Sequence, residues 1–488
     1  MIRKAREILR HPARSPGDLL VAMAVLTGMC WAILFVVVAL IYRLQLYADG
    51  AIFSYSVAVR DVWAFHWHNI SGRVSVFLLS LWPAELFVAL TGNPDGGIAV
   101  YGFLFYLAPL AGLAATFATD RTSDRVFFTF SCGSTALLNP LVFGFPTETW
   151  FAHTLFWPAL TIAHCASNNL AGLILLSVAM TALVLTHEAA LVLAFTIVLT
   201  LGFGGLRHPK LVRAVLALAT ALIVWAVIKI AYPPDSYFAE VIERAALHFF
   251  DPALLQVNIV LLLACVLAAY GVLFYVLSQR FSLRTAQLAA TVIMLVALLV
   301  YWLKLDHWVH ASNRYYLRTL LILITPLLGA AAALCALRAD GSLAQSKVLS
   351  GGMRLLSSKQ ALRALAGAFV LVTIIYVVET AKFVVQWTEY KTSVRALAQS
   401  QASDPELGDP RFVSSQRIAP DLKELGWFST IEYLSVVLAD FAPSRLLVDP
   451  AGNYFWLSCE TATANANAQR AVPAAARDLI RIYSCLHR

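Results

Sequence analysis

Residues 19–42 read LLVAMAVLTGMCWAILFVVVALIY, an apolar stretch with no charged residue. Its length suits an α-helix that crosses the roughly 30 Å hydrocarbon core of a bilayer. A basic head, MIRKAREILRHPARSPGD, precedes it. The stretch is longer than the apolar core of a signal peptide and no A-x-A cleavage site follows, so we expect a retained first span.

The rest of the chain repeats this pattern. Of its 488 residues, 60% are hydrophobic and 13% are charged, whereas a globular domain is about half apolar and a quarter charged. The net charge of +8 lies mainly in short loops between apolar runs, as the positive-inside rule requires. This placement predicts a multi-pass protein of a bacterial-type inner (plasma) membrane, with lipid around it and no nucleic-acid partner.

The basic loops define the expected topology. We predict that the N-terminal head and the loops near 120–125, 207–213, 280–284 and 338–363 face the cytoplasm. Ten more apolar runs follow the first, at about 98–118, 126–143, 149–166, 170–186, 189–205, 212–231, 253–277, 285–304, 315–337 and 363–386. The predicted fold is therefore an all-α polytopic membrane protein with about 11 transmembrane helices.

One further apolar segment, 73–92, does not fit this count. Pro83 and Glu85 lie at its centre, and both are costly for a helix inside hydrocarbon. We expect this segment to be a helix in the outer interface, within a first outer loop of residues 44–97. An ordinary twelfth span is the alternative.

The tail is polar and differs from the rest. We expect a transmembrane domain over 1–386 and a small C-terminal soluble domain of α/β type over 387–488, outside the cytoplasm, with strands near 444–448 and 454–457. Because that compartment is oxidising, Cys459 and Cys485 are predicted to form a disulfide. Two buried free thiols are the alternative.

The first candidate for chemistry is Asp49, just after the first span. A carboxylate that is partly dehydrated at a helix mouth can act as a general base toward an acceptor hydroxyl or amine. The competing interpretation is structural, because an acidic residue at this position also caps a helix and stabilises its positive N-terminus.

The same outer loop carries Arg60, Asp61, His66, His68 and Arg73. Its arginines and histidines could bind a phosphate or pyrophosphate head group, or they could have structural roles. The His-x-His pair could bind a metal ion, but two ligands do not define a site. No metal ligand is therefore assigned.

Other polar residues fall on the predicted outer face. Glu148, His187 and Glu188 lie at tips between apolar runs, where they are functional candidates or simply solvated. A dense cluster at 304–318 contains Asp306, His307, His310, Arg314 and Arg318. Its arginines suit an anionic lipid head group, and an ordinary interfacial belt is the alternative.

Taken together, the acidic residue after span one, the long outer loop and the outer C-terminal domain resemble the GT-C superfamily of lipid-dependent glycosyltransferases. The stretch HWHNISGR, ending at Arg73, is similar to some bacterial members. The resemblance implies inverting transfer of a sugar from a polyprenyl-phosphate donor at the outer membrane face. It also implies Asp49 as the base, with Asp61 as second choice. Gly50 follows Asp49 where an acidic pair would be expected, so no cofactor is assigned, and a divalent metal is possible without being supported.

The main rival is a transporter or flippase for a lipid-linked or amphipathic substrate. Such a protein would show pseudo-symmetric halves and broken helices near the bilayer midplane. The sequence contains no internal repeat. A third possibility is an assembly protein whose tail binds a partner.

Overall fold

The computed structural model of the chain describes residues 15–59, 73–205, 209–231, 258–306, 314–341, 358–400, 412–426, 430–440 and 445–448. Apart from one pair of short strands, the regular structure in these ranges is helical. The α-helices are α1 (Pro16–Tyr42), α2 (Asp49–Val59), α3 (Val74–Thr91), α4 (Pro94–Thr119), α5 (Val126–Leu138), α6 (Glu148–Cys165), α7 (Leu170–Val184), α8 (Ala190–Gly202), α9 (Leu211–Ala231), α10 (Asn258–Ser278), α11 (Leu283–Lys304), α12 (Arg314–Ala339), α13 (Lys359–Gln399) and α14 (Ile431–Leu438).

Local sequence sets the helix boundaries. At the start of α1, the Ser15 hydroxyl accepts from the backbone N–H of Asp18 at 3.1 Å, and the Asp18 carboxylate accepts from the backbone N–H of Ser15 at 3.0 Å. This capping box satisfies helix donors that would otherwise lack partners. The helix ends at Arg43, which has a left-handed φ of 52°.

Eight helices in the described ranges are long and apolar enough to cross a membrane, namely α1, α3, α4 and α9 to α13. The multi-pass prediction is therefore confirmed, but the number differs from the expected eleven. Four predicted runs form the shorter or less apolar helices α5 to α8, of 13, 18, 15 and 13 residues. Segment 73–92, excluded from the count, forms α3.

Contacts between helix termini show which loops gather together. At one end of the bundle, Lys229 pairs with Glu188, and the ring of Phe383 on α13 contacts Tyr47 just after α1. We call this the Asp49 end. At the other, the Arg213 end, Asn168 donates to the carbonyl of Pro209 at 3.1 Å, and α11 bonds to the start of α13. The described parts of the predicted outer tips lie at the first end, and the described parts of the predicted cytoplasmic loops lie at the second. Which compartment each end faces remains a prediction.

Helix α3 begins and finishes at the Asp49 end. Arg73 at its start bonds to Glu148, and α4 follows it directly, with Asp95 on the first turn of α4 paired to Arg43 at 2.8 Å. Thus α3 has the length of a span, but both of its ends lie at the Asp49 end. Glu85 is only 9% exposed, so its carboxyl is turned into the protein and away from the apolar outer face.

Only parts of the C-terminal segment are described, and the separate domain over 387–488 stays a prediction. Helix α13 runs through the expected boundary at residue 387 to Gln399. Strand β1 (Phe412–Ser414) pairs in parallel with β2 (Leu446–Val448), which lies in the predicted strand at 444–448. Helix α14 packs on α2, with the rings of Tyr433 and Tyr55 5.4 Å apart. The predicted strand at 454–457 and the cysteines Cys459 and Cys485 lie outside the described residues.

Candidate functional site

The polar residues at the Asp49 end converge from elements far apart in the sequence. Arg73 starts α3, Glu148 starts α6, and the turn between α7 and α8 supplies two more groups. The structure brings together six of the predicted site residues, which are Asp49, Arg73, Glu148, His187, Glu188 and Arg318.

Tight packing around Gly50 places Asp49 in this cluster. After α1 the chain folds back through a 3₁₀ turn, Leu44–Leu46, so that α2 begins against it. A Cβ on Gly50 would lie 2.1 Å from the backbone oxygen of Gln45 and 2.5 Å from the ring of Pro146. Only glycine allows this approach, which draws the start of α2 toward the tip that carries Glu148.

Asp49 occupies an unusual electrostatic environment. Burial raises its pKa to about 6, and the negative charge of Glu148 adds to the shift, while Arg318 and Arg73 act against it. Within the described residues its carboxylate accepts no hydrogen bond, although it retains some exposed surface. A carboxyl that titrates near neutrality and has an unfilled acceptor is suited to proton transfer.

Arg73 bridges two carboxylates. One terminal nitrogen lies 2.5 Å from Glu148 Oε1 and the other lies 3.4 Å from Glu188 Oε2. These charges outweigh burial and raise the pKa of Arg73 above its usual range. The Nε of Arg73 is buried and has no hydrogen-bond partner in the described part of the chain. Each terminal nitrogen of Arg73 is thus paired with a protein carboxylate, which favours a positioning role over direct phosphate contact.

Glu188 is held by cations on both sides. Lys229 Nζ lies 3.2 Å from its Oε1, opposite the contact with Arg73. Burial would raise the pKa of Glu188, but the nearby positive charges, led by Arg73, lower it to about 2. Glu188 is consequently ionised at neutral pH.

His187 is a neutral member of the cluster. Its Nδ1 accepts from the backbone N–H of Ala189 at 3.1 Å, so the proton of the neutral ring is on Nε2. Burial and then the charge of Arg73 lower the pKa of His187 to about 4. Nε2 is therefore a hydrogen-bond donor at neutral pH.

The cluster lies below the full height of the bundle. With 15 and 13 residues, α7 and α8 are about 22 and 20 Å long, less than the roughly 30 Å of a bilayer core. The turn at their tip carries Glu188, whose side chain is 17% exposed, while that of Glu148 is 7% exposed. These acidic residues are thus buried and paired, and the interpretation as simply solvated tips is wrong.

Two members of the site were not singled out from the sequence. Lys229 is visible there as an ionisable residue in the last turn of an apolar run, which alone makes it a candidate. Tyr101 lies inside α4, is 1% exposed, and its hydroxyl has no hydrogen-bond partner among described residues. It lies within electrostatic range of Asp49 and Glu148, a proximity that no sequence pattern reveals.

The remaining candidates divide into two groups. Asp306 belongs to a separate cluster, where it accepts from the Tyr301 hydroxyl at 2.6 Å and lies 3.8 Å from Lys382 Nζ. The side chain of Arg314, together with Arg60, Asp61, His66, His68, His307 and His310, lies outside the described residues. Across the ranges that are described, no three His, Cys, Asp or Glu side chains are arranged to hold a metal ion.

Comparison with known proteins identifies no family. No protein-family model matches the chain, and no curated protein matches it.

Proposed function

We propose that this protein is a membrane glycosyltransferase that moves a sugar from a polyprenyl-phosphate donor to an acceptor, with inversion at the anomeric carbon. The observation that carries the proposal is Asp49, a carboxyl whose pKa is raised to about 6, which accepts no hydrogen bond from the described residues and lies within electrostatic range of Arg318 and Arg73. This combination supplies a base beside positive charge, as transfer from a phosphate-linked donor requires.

Asp49 would act on the acceptor. Its carboxylate takes the proton from an acceptor hydroxyl or amine as that atom attacks the anomeric carbon of the sugar. A new bond forms at that carbon, and the bond from the carbon to the phosphate oxygen breaks with its electron pair. The proton stays on Asp49 and the lipid phosphate leaves with the negative charge.

Arg318 is the better candidate for stabilising that leaving group. Its positive charge acts on both Asp49 and His187, so a cation lies within electrostatic range of the proposed base. Arg73 is paired with Glu148 and Glu188 through its two terminal nitrogens, and its Nε is buried without a hydrogen-bond partner among the described residues. We therefore assign phosphate contact to Arg318 and positioning to Arg73.

The test uses purified protein in vesicles with a panel of short-chain polyprenyl-phosphate sugars, and transfer or release of sugar is followed by mass spectrometry. Asp49→Asn keeps the shape of the side chain and its capping ability, but it should lower turnover by about 10²- to 10⁴-fold. Asp61→Asn is the matched carboxylate in the same loop. An Asp49→Asn protein with near wild-type turnover would remove Asp49 as the base, and a dead Asp61→Asn would move that role to Asp61.

Transport of a lipid-linked or amphipathic substrate is the second candidate. It is favoured by the turn between α7 and α8, which carries charged groups inside the bundle, because ionisable residues within membrane proteins mark substrate and ion pathways. If both asparagine variants transfer sugar at the wild-type rate, or if the wild type transfers none, vesicle uptake of a fluorescent polyprenyl-phosphate lipid becomes the deciding assay.

A further inference from the structure

Four charged side chains form a continuous ladder at the Asp49 end. Lys229 Nζ lies 3.2 Å from Glu188, Glu188 lies 3.4 Å from Arg73, and Arg73 lies 2.5 Å from Glu148. The four side chains are between 7% and 17% exposed. The ladder joins α9, the α7–α8 turn, the start of α3 and the start of α6.

Positive and negative charges alternate along the ladder, so each of the two inner groups interacts with two neighbours of opposite charge. Arg73 is attracted to both glutamates, and its position between them depends on how strongly each one pulls. Lys229 neutralises part of the charge of Glu188 and so weakens the pull from that side. Without Lys229, Arg73 would be drawn toward Glu188, and Glu148 would lose part of its compensation.

Glu148 is the ladder member whose negative charge acts directly on Asp49. We propose that Lys229 is a positioning residue which, through Glu188 and Arg73, keeps Glu148 neutralised and thereby keeps Asp49 available as a base. The inference rests on the proposed function for its kinetic consequence, but the electrostatic coupling can be measured without it.

The other titratable groups around Asp49 come from several elements. Arg318 on α12 acts on Asp49 directly, and Tyr101 on α4 and His187 in the α7–α8 turn lie within electrostatic range of the cluster. Helix α2 also packs against α3 and α14, which carry Glu85, Glu432 and Tyr433. The contact between Tyr433 and Tyr55 lies further along α2, away from Asp49.

Loss of Lys229 removes a positive charge and leaves the negative charge of Glu148 less compensated by Arg73. Both changes favour the protonated form of Asp49. In Lys229→Met the acid limb of the rate profile should therefore move to higher pH. If the pKa of Asp49 rises by about one unit, turnover at pH 6 should fall about fivefold, while turnover at pH 8 should change less than about twofold. Lys229→Arg restores the charge and should restore the profile, and Lys229→Gln should behave as Lys229→Met.

Lys382→Met is the matched control. Lys382 lies 3.2 Å from Glu379 and is 18% exposed, against 12% for Lys229, but its pair is not part of the ladder. This variant should leave the acid limb in place. A lysine that merely stabilised the fold would lower turnover equally at all pH values, which would contradict the proposal.

Infrared titration measures the coupling without any substrate. The band of the protonated Asp49 carboxyl is identified as the one that is missing in Asp49→Asn. The midpoint should be higher in Lys229→Met and Lys229→Gln than in the wild type. An unchanged midpoint, or an equal shift in Lys382→Met, would overturn the inference. If the wild type transfers no sugar, the proposed function fails, and the infrared result still decides whether the ladder controls Asp49.

Discussion

The two ends of the bundle both bury arginine and acidic side chains, but they give these side chains different bonding partners. At the Arg213 end, Arg213 is 4% exposed and donates to backbone carbonyls at the end of α6, including those of Ala163 at 2.7 Å and Ala166 at 2.9 Å. It satisfies acceptors that every helix C-terminus leaves unpaired. At the Asp49 end, Arg73 donates to carboxylates instead.

The acidic residues show the same contrast. Asp120, which is fully buried, accepts from the backbone N–H and hydroxyl of Thr122 at 2.9 and 2.6 Å, and from the backbone N–H of Phe128 at 3.0 Å. Asp49 accepts no hydrogen bond from any described residue. The charged side chains of Arg213 and Asp120 thus bond to backbone groups. At the Asp49 end, Arg73 pairs with other charged side chains, which is the arrangement expected of a functional site.

The largest expected effect tests the two arginines. Arg73→Met leaves Glu148 and Glu188 buried without their shared partner, which should lower the free energy of unfolding by about 3–5 kcal/mol. Arg213→Met leaves uncharged carbonyls unsatisfied and should cost about 1–3 kcal/mol. Denaturation in detergent, followed by tryptophan fluorescence, measures both.

A double variant sharpens this result. Glu148→Gln combined with Arg73→Met removes part of the uncompensated charge, so the pair should cost less than the sum of the single changes. If Arg73→Met proved milder than Arg213→Met, the ladder would contribute less than the helix cap, and the contrast between the two ends would fail.

A second, smaller effect concerns the backbone that places Asp49. Gly50→Ala puts a methyl group into the carbonyl of Gln45 and the ring of Pro146, so the start of α2 must shift, at a cost of about 1–3 kcal/mol. Gly202→Ala is the control, because its new methyl group would meet nothing within 4 Å. We expect turnover to fall only in Gly50→Ala. Equal turnover in both would show that the position of Asp49 tolerates such a shift.

The sequence predicted the helical membrane fold and the grouping of loops because both follow from local hydropathy and from the placement of Lys and Arg. It did not predict the lengths of α5 to α8. Apolar runs such as 170–186 and 189–205 have the minimum length of a transmembrane helix, but α7 ends at Val184 and α8 ends at Gly202. Because α7 ends at Val184, the turn that carries Glu188 follows directly, and the Glu188 side chain is 17% exposed.

The site was predicted as a set of residue types and not as a set of contacts. Asp49, Glu148 and Glu188 were visible as rare charges beside apolar runs, since ionisable groups there are costly. The pairing of Arg73 with two glutamates depends on elements 75 and 115 residues away. Tyr101 has no signal in a single sequence, because its neighbourhood is created only by packing of α4 against α2.

The smallest expected effect is a substitution that stabilises the protein, whereas most substitutions destabilise it. The pKa of Asp49 is raised from 3.8 to about 6, so its contribution to stability is fully present below the lower value and is lost as pH rises through the higher one. Asparagine cannot ionise. Asp49→Asn should therefore be more stable than the wild type at pH 8, on the order of 1 kcal/mol, and the gain should vanish near pH 4. Asp120→Asn should instead lower stability, because an amide nitrogen replaces an oxygen that accepts from Thr122 or Phe128. Melting of both variants in detergent at pH 4, 6 and 8 measures the difference. A loss of stability in Asp49→Asn at pH 8 would mean that this carboxylate serves the fold as Asp120 does, and the Asp49 end would then have no feature that distinguishes it from a helix cap.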